Sequence, residues 1–134
     1  MDCQFAFLCD YGQESGGKLH ALGVGWDTIY AGTLPARHPM MCFIARLSGT
    51  IVEAGTKELG IRIIDADGLD IVPPISQAIP FEVKPPQLSG NINVVINLGG
   101  LLLPKYGPYA LHLTVQGQDI KTVPFRVSEG PTTG

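Results

Sequence analysis

Charge is scarce in this sequence. Nine lysines and arginines stand against twelve aspartates and glutamates, 16% of 134 residues, for a net charge of −3; globular proteins average about 25% charged residues. The basic residues are scattered (Lys18, Arg37, Arg46, Lys57, Arg62, Lys84, Lys105, Lys121 and Arg126). A nucleic-acid binder needs a basic patch to neutralise phosphates, so no nucleic-acid partner is expected. Long hydrophobic runs are also missing. Phe5-Ala6-Phe7-Leu8-Cys9 and Leu101-Leu102-Leu103 are far too short to span a bilayer, and no membrane partner is expected. Cysteine is sparse and odd in number: Cys3, Cys9 and Cys42. Cys3 and Cys9 lie six residues apart in one extended run, roughly 20 Å, too far for a disulfide. Met1-Asp2-Cys3-Gln4 has neither the basic start nor the apolar stretch of a signal peptide. A reduced, cytoplasmic protein is the expectation.

What is plentiful is turn chemistry: 17 glycines and 11 prolines, with 45% apolar residues. One domain is expected at this length, large enough to fold without a disulfide or metal. Short apolar runs are broken by turn residues every 8–12 positions, which reads as an all-β antiparallel sandwich of about eight or nine short strands. Cys3, Phe5, Phe7 and Cys9 share one expected face. Lys18 to Val24 is a second run, extended by Thr28-Ile29-Tyr30. Met41, Phe43, Ala45 and Leu47 alternate with Cys42, Ile44 and Arg46; helical spacing also fits, but eight residues between Pro39 and Ser48-Gly49 suit a strand. Lys57 to Ile64 and Leu69 to Val72 flank the turn Asp65-Ala66-Asp67-Gly68. Ile79 to Val83 carries Pro80 and belongs at an edge. Ile92, Val94, Ile96 and Leu98 alternate with Asn91, Asn93, Val95 and Asn97. A terminal hairpin pairs Tyr109 to Gln116 with Ile120 to Val127, turning at Gly117-Gln118-Asp119 and placing Val123, Phe125 and Val127 inward, with Pro124 off the ladder. Residues 1–127 form the expected domain and 128–134 a small polar tail, a candidate to dock on a neighbouring subunit.

Gly107-Pro108-Tyr109 resembles a tyrosine corner, in which a phenol at a strand's start bonds nearby backbone. Gly17-Lys18-Leu19, Leu34-Pro35-Ala36-Arg37-His38-Pro39, Ala45-Arg46-Leu47, Asp65-Ala66-Asp67-Gly68, Asn93-Val94-Val95-Ile96-Asn97 and the Gly107-to-Gly117 hairpin together resemble a bacterial family of small proteins known only as a domain of unknown function. The resemblance covers nearly the whole chain. It implies a single immunoglobulin-like sandwich in a bacterial cell and brings no catalytic or ligand residues with it.

The chemistry-bearing residues do not assemble into a reaction in the sequence. Asp65, Asp67 and Asp70 invite calcium, yet counting from Asp65 puts Leu69 at position 5, Gly68 at position 4 and Ser76 at position 12. A helical calcium loop needs an oxygen ligand, a glycine at 6 and a glutamate there. His20, His38 and His112 have no cysteines at zinc spacing, and a Cys42–His38 pair places its thiol in an apolar strand, unsuited to a reactive thiolate. Gly23-Val24-Gly25-Trp26 starts like a dinucleotide loop, but Thr28 stands where the third glycine belongs and no helix follows. Trp26 is a core filler or a platform for a sugar or peptide.

Two functions therefore stand as expectations. The first is a non-catalytic interaction or self-assembly module, using apolar residues left over once one face of each strand is buried: Leu8, Ile44, Val95, Leu101, Leu102 and Leu103. The second is a ligand-binding sandwich taking a carbohydrate or calcium at loops near Trp26 or at Asp65, Asp67 and Asp70. No cofactor is expected in either case; the partner in the first is a second copy or another protein.

Overall fold

The computed structural model describes residues 1–130 and is almost entirely strand. Ten strands follow in chain order: β1 (Asp2–Cys9), β2 (Tyr11–Ser15), β3 (Lys18–Leu22), β4 (Thr28–Ala31), β5 (Ala36–Thr50), β6 (Gly55–Ile64), β7 (Ile75–Phe81), β8 (Ser89–Leu103), β9 (Gly107–Val115) and β10 (Gln118–Glu129), with one 3-10 turn at Ile51–Glu53. They form a three-stranded sheet β1-β5-β8, a five-stranded sheet β4-β10-β9-β6-β7 and a separate hairpin β2-β3. The all-β sandwich expected from the turn spacing is present. Its pairs are antiparallel except one: β4 runs parallel to β10, with Thr28–Ala31 beside Arg126–Glu129.

The main core lies between the two larger sheets. Met41, Phe43, Ala45 and Leu47 of β5 and Ile92 and Val94 of β8 face Leu59, Ile61, Ile63, Leu111, Leu113, Phe125 and Val127. Period-two patterning produces this directly, because alternate side chains of a strand take opposite faces. The other face of β5 is not bare. Cys42 and Ile44 are fully buried with Cys9, under Phe7, Leu19, Ala21 and Val95. Their cover is the β2-β3 hairpin, laid flat on the sheet as a third layer. Gly12 makes the approach possible: a Cβ there would collide with Ile44 Cδ1 and crowd Cys42 Sγ.

Several local expectations change. The register of β1 against β5 shifts between Cys3 and Phe5, a bulge that inverts the alternation. Cys3, Ala6 and Leu8 therefore pack on the main core, while Phe7 and Cys9 sit under the hairpin. Leu69 to Val72 is no strand; it contributes one bridge, Ile64 to Asp70. The edge strand with Pro80 runs Ile75–Phe81 rather than Ile79 to Val83, and its Pro80 occupies the sheet's outer margin as such a residue must. Pro124 pairs opposite Ala110 of β9, on a stretch of β10 that β4 does not reach. The final hairpin turns one residue earlier than expected, at Gln116 and Gly117, both with positive φ (52° and 79°), the geometry of a tight two-residue hairpin.

The chain end is also tied further along than expected. Ser128 and Glu129 continue β10 against Tyr30 and Ala31, and the Gly130 N–H donates to the Ala31 carbonyl. Residues 128 and 129 thus belong to the sheet of their own chain; residues 131–134 of the expected tail lie outside the described residues.

Candidate functional site

The Asp65–Asp70 loop is closed on itself. Asp65 is buried, and its Oδ1 accepts the N–H groups of Asp67 (2.9 Å) and Leu69 (3.0 Å). Lys105 Nζ reaches Asp65 Oδ2 at 3.4 Å and Asp67 Oδ2 at 2.9 Å. Asp70 turns away to a two-pronged pair with Arg62, at 2.9 and 3.2 Å. The Leu69 and Asp67 amides and Lys105 hold the Asp65 carboxyl below its ordinary range. In this arrangement Asp65 and Asp67 share Lys105, and Asp70 pairs with Arg62. Among the described residues, no group of three His, Cys, Asp or Glu side chains gathers as a metal site requires. Lys105 is fixed from the other side as well. The Tyr109 hydroxyl donates to its carbonyl (2.8 Å) and accepts from its N–H (3.0 Å), so the tyrosine corner read from Gly107-Pro108-Tyr109 is formed.

The leftover apolar residues divide in two. Leu8, Ile44, Leu101 and Leu103 are at most 4% exposed and are corrected from interface residues to core. Leu8 changes face at the β1 bulge, Ile44 lies under the hairpin, and Leu101 and Leu103 turn inward. The last pair do so because the inward-facing series Ile92, Val94 changes parity near Gly100, which has φ +65° and sits beside Pro39 between the pairs Met40–Gly99 and His38–Leu101. Val95 is half-buried beneath the hairpin. Leu102 is 41% exposed and borders an open groove of about 380 Å³ with Ile71, Val72, Ile75 and Leu98.

Trp26 lines a different feature, an open cleft of about 540 Å³ with Asp10, Thr28, His38 and Met40. Each wall has a local cause. Asp10 directly follows β1 and is pinned where its N–H donates to the Leu22 carbonyl. Gly23 and Gly25, at φ +71° and +101°, swing the chain from β3 into Trp26; a Cβ on Gly23 would collide with the Asp10 carboxylate. These are the glycines of the failed dinucleotide motif, and here they shape a wall. The Arg126 N–H fixes the Asp27 carbonyl at 2.8 Å, and β4 follows. Across the cleft, the His38 ring lies 5.8 Å from the Trp26 ring, tilted by 55°. Burial pushes the His38 imidazole below its ordinary pKa, with Asp10 opposing that shift. Trp26 Nε1 and His38 Nε2 are both shut from solvent and unpartnered among the described residues.

Asp10 and Met40 were not among the residues expected at a site. Nothing in the sequence brings Asp10 to His38; their proximity depends on β1 pairing with β5 so that Cys9 meets Cys42. The other histidines lie elsewhere. His112 Nδ1 is 3.0 Å from the Thr122 hydroxyl, and His20 is exposed on β3. Of the thiols, Cys9 is pushed up to about 11 by burial and by Cys42, and burial raises Cys3 and Cys42 too. That is the reverse of what a nucleophilic thiolate needs.

Two packed sheets, a hairpin laid over one of them and an open cleft at one end define a layered all-β sandwich. No helix among the described residues is long and apolar enough to cross a membrane. The chain belongs to a family of unknown function, DUF6941, whose family model matches residues 4–128. No curated protein matches it in sequence.

Proposed function

We propose that the chain is a non-catalytic interaction module that pairs with a second copy of itself along the free edge of β8. One observation carries this. From Ser89 to Leu103 the strand contains no charged residue and no proline, yet it ends its sheet and pairs with β5 alone. Natural edge strands are guarded by lysine, proline, bulges or short length, because bare N–H and C=O groups recruit another strand. The other outer strands follow that rule: β7 carries Pro80, β4 has four residues, and β1 carries Asp2 and a bulge.

A second copy suits this edge. In a twofold antiparallel pair each residue meets a residue of the same strand, and like charges facing each other would repel; β8 has none to oppose. Gly90 lies against Glu82 and Val83, so the stretch open to pairing begins after it and runs to the irregularity at Gly100. The raised thiols support the non-catalytic reading. The same reading takes the sandwich as immunoglobulin-like, supported by the Tyr109 corner, in the cytoplasm, supported by three free cysteines. Its bacterial setting rests on the family resemblance.

Hydrogen exchange across a concentration series tests the pairing. Edge amides of β8 are expected to gain protection as concentration rises, and Asn97→Lys, an exposed position on that strand, to abolish the gain. Protection that is independent of concentration in both proteins contradicts the proposal.

A further inference from the structure

The Trp26 cleft takes none of its lining from β8 and does not depend on β8 pairing. We infer that it is a binding site for a neutral carbohydrate, with Trp26 as the stacking platform and Asp10 and His38 as hydroxyl-bonding groups. The cleft's volume of about 540 Å³ falls within the range of pockets that hold small ligands, roughly 300–1,000 Å³. Its lining chemistry narrows the class. No lysine or arginine borders it, so nothing there matches a phosphate, sulfate or carboxylate. Asp10 is exposed, and its carboxylate makes no ion pair among the described residues. It is an acceptor waiting for donors.

The remaining groups ask for both hydrogen-bonding senses and one flat apolar surface. An indole N–H only donates, a carboxylate only accepts, and a neutral imidazole does one at each nitrogen. Hydroxyls serve all three, since each donates and accepts. The C–H face of a sugar ring supplies the apolar surface that an aromatic ring covers. A purely apolar ligand would leave Asp10 and the ring nitrogens without partners, at the cost that buried unpaired polar groups carry. Trp26 Nε1 and His38 Nε2 have no protein partner among the described residues. Both nitrogens are shut from solvent, so binding requires each ring to turn toward a bound hydroxyl.

The cleft is also built rather than left over. Its two glycines adopt positive φ, a side chain at Gly23 would have to displace the Asp10 carboxylate, and Trp26 is braced through Asp27 and β10. Met40, 43% exposed at the rim, adds an adaptable apolar contact.

Trp26 is the chain's single tryptophan, so its fluorescence and its one indole N–H resonance report on this cleft alone. The experiment titrates the full chain with glucose, N-acetylglucosamine, maltose and cellobiose, and in parallel with glucose 6-phosphate and cyclohexanol. The expected result is a saturable change in both signals with at least one neutral sugar, weakened about tenfold by Asp10→Asn, the worth of one charged hydrogen bond, and unmoved by the distant Asp67→Asn. No saturable response to any of the four sugars overturns the inference. So does equal binding of glucose 6-phosphate or cyclohexanol, or an Asp10→Asn protein that binds as tightly as the parent. Loss of β8 pairing in the Asn97→Lys protein leaves the sugar response intact, which separates this site from the proposed association.

Discussion

The two faces of β5 are both dry, but they are covered in different ways. The inner face, with Met41, Phe43, Ala45 and Leu47, meets a five-stranded sheet. The outer face, with Cys42 and Ile44, meets only a short hairpin whose closest approach is a glycine. A strand that is apolar on both sides invites the idea of a partner chain. Here a small third layer of the same chain takes up most of the surplus. What remains unabsorbed is an edge rather than a face.

Truncating the inner face is expected to do the most damage. Phe43 is wholly buried, and Phe43→Ala should lower unfolding stability by about 3–5 kcal/mol, read from urea denaturation. Ile44→Ala, on the outer face, is expected near the low end of the range for such changes, about 2 kcal/mol, because a hairpin can settle into the space more readily than a sheet. Equal losses at the two positions would erase the distinction between a rigid and a yielding cover.

Gly12→Val probes the cover from its own side. The added side chain meets Ile44 and Cys42, and overpacking of this kind costs about 1–3 kcal/mol. Because only the hairpin is displaced, amides of β2 and β3 should lose exchange protection while those of β9 keep theirs.

The smallest effect belongs to His38, where β5 leaves both covers. Burial lowers its folded pKa below the ordinary 6.5, with Asp10 opposing the shift. The unfolded chain therefore binds the proton first, and stability falls as pH drops below about 6.5. His38→Gln should flatten that part of the pH profile of the melting temperature, while His20→Gln, at an exposed position, should not.

Much of this was readable from the sequence, and the failures have physical causes. Alternation in Met41 to Leu47 and in Ile92 to Leu98 gave the inner face correctly, because burial on one side imposes period two. The Pro80 edge and the inward Phe125 and Val127 followed from equally local rules. Leu8, Leu101 and Leu103 were misplaced because a bulge near Gln4 and the kink at Pro39 and Gly100 invert the alternation, and neither is visible in a hydrophobic pattern. Ile44 was misplaced because Tyr11–Ser15 is too polar to announce itself as a cover. The partners of the Asp65–Asp70 carboxylates, Lys105, Arg62 and backbone amides, are brought there by the fold rather than by local spacing. The Trp26 cleft depends on Asp10, which only the pairing of β1 with β5 brings near.

The central claim is that β8 pairs with a second copy, and sedimentation velocity on the full chain at tens of micromolar tests it most directly. A species of twice the chain mass is expected, and Asn97→Lys is expected to return it to a single chain. A single-chain mass for the unaltered protein across that concentration range would contradict it.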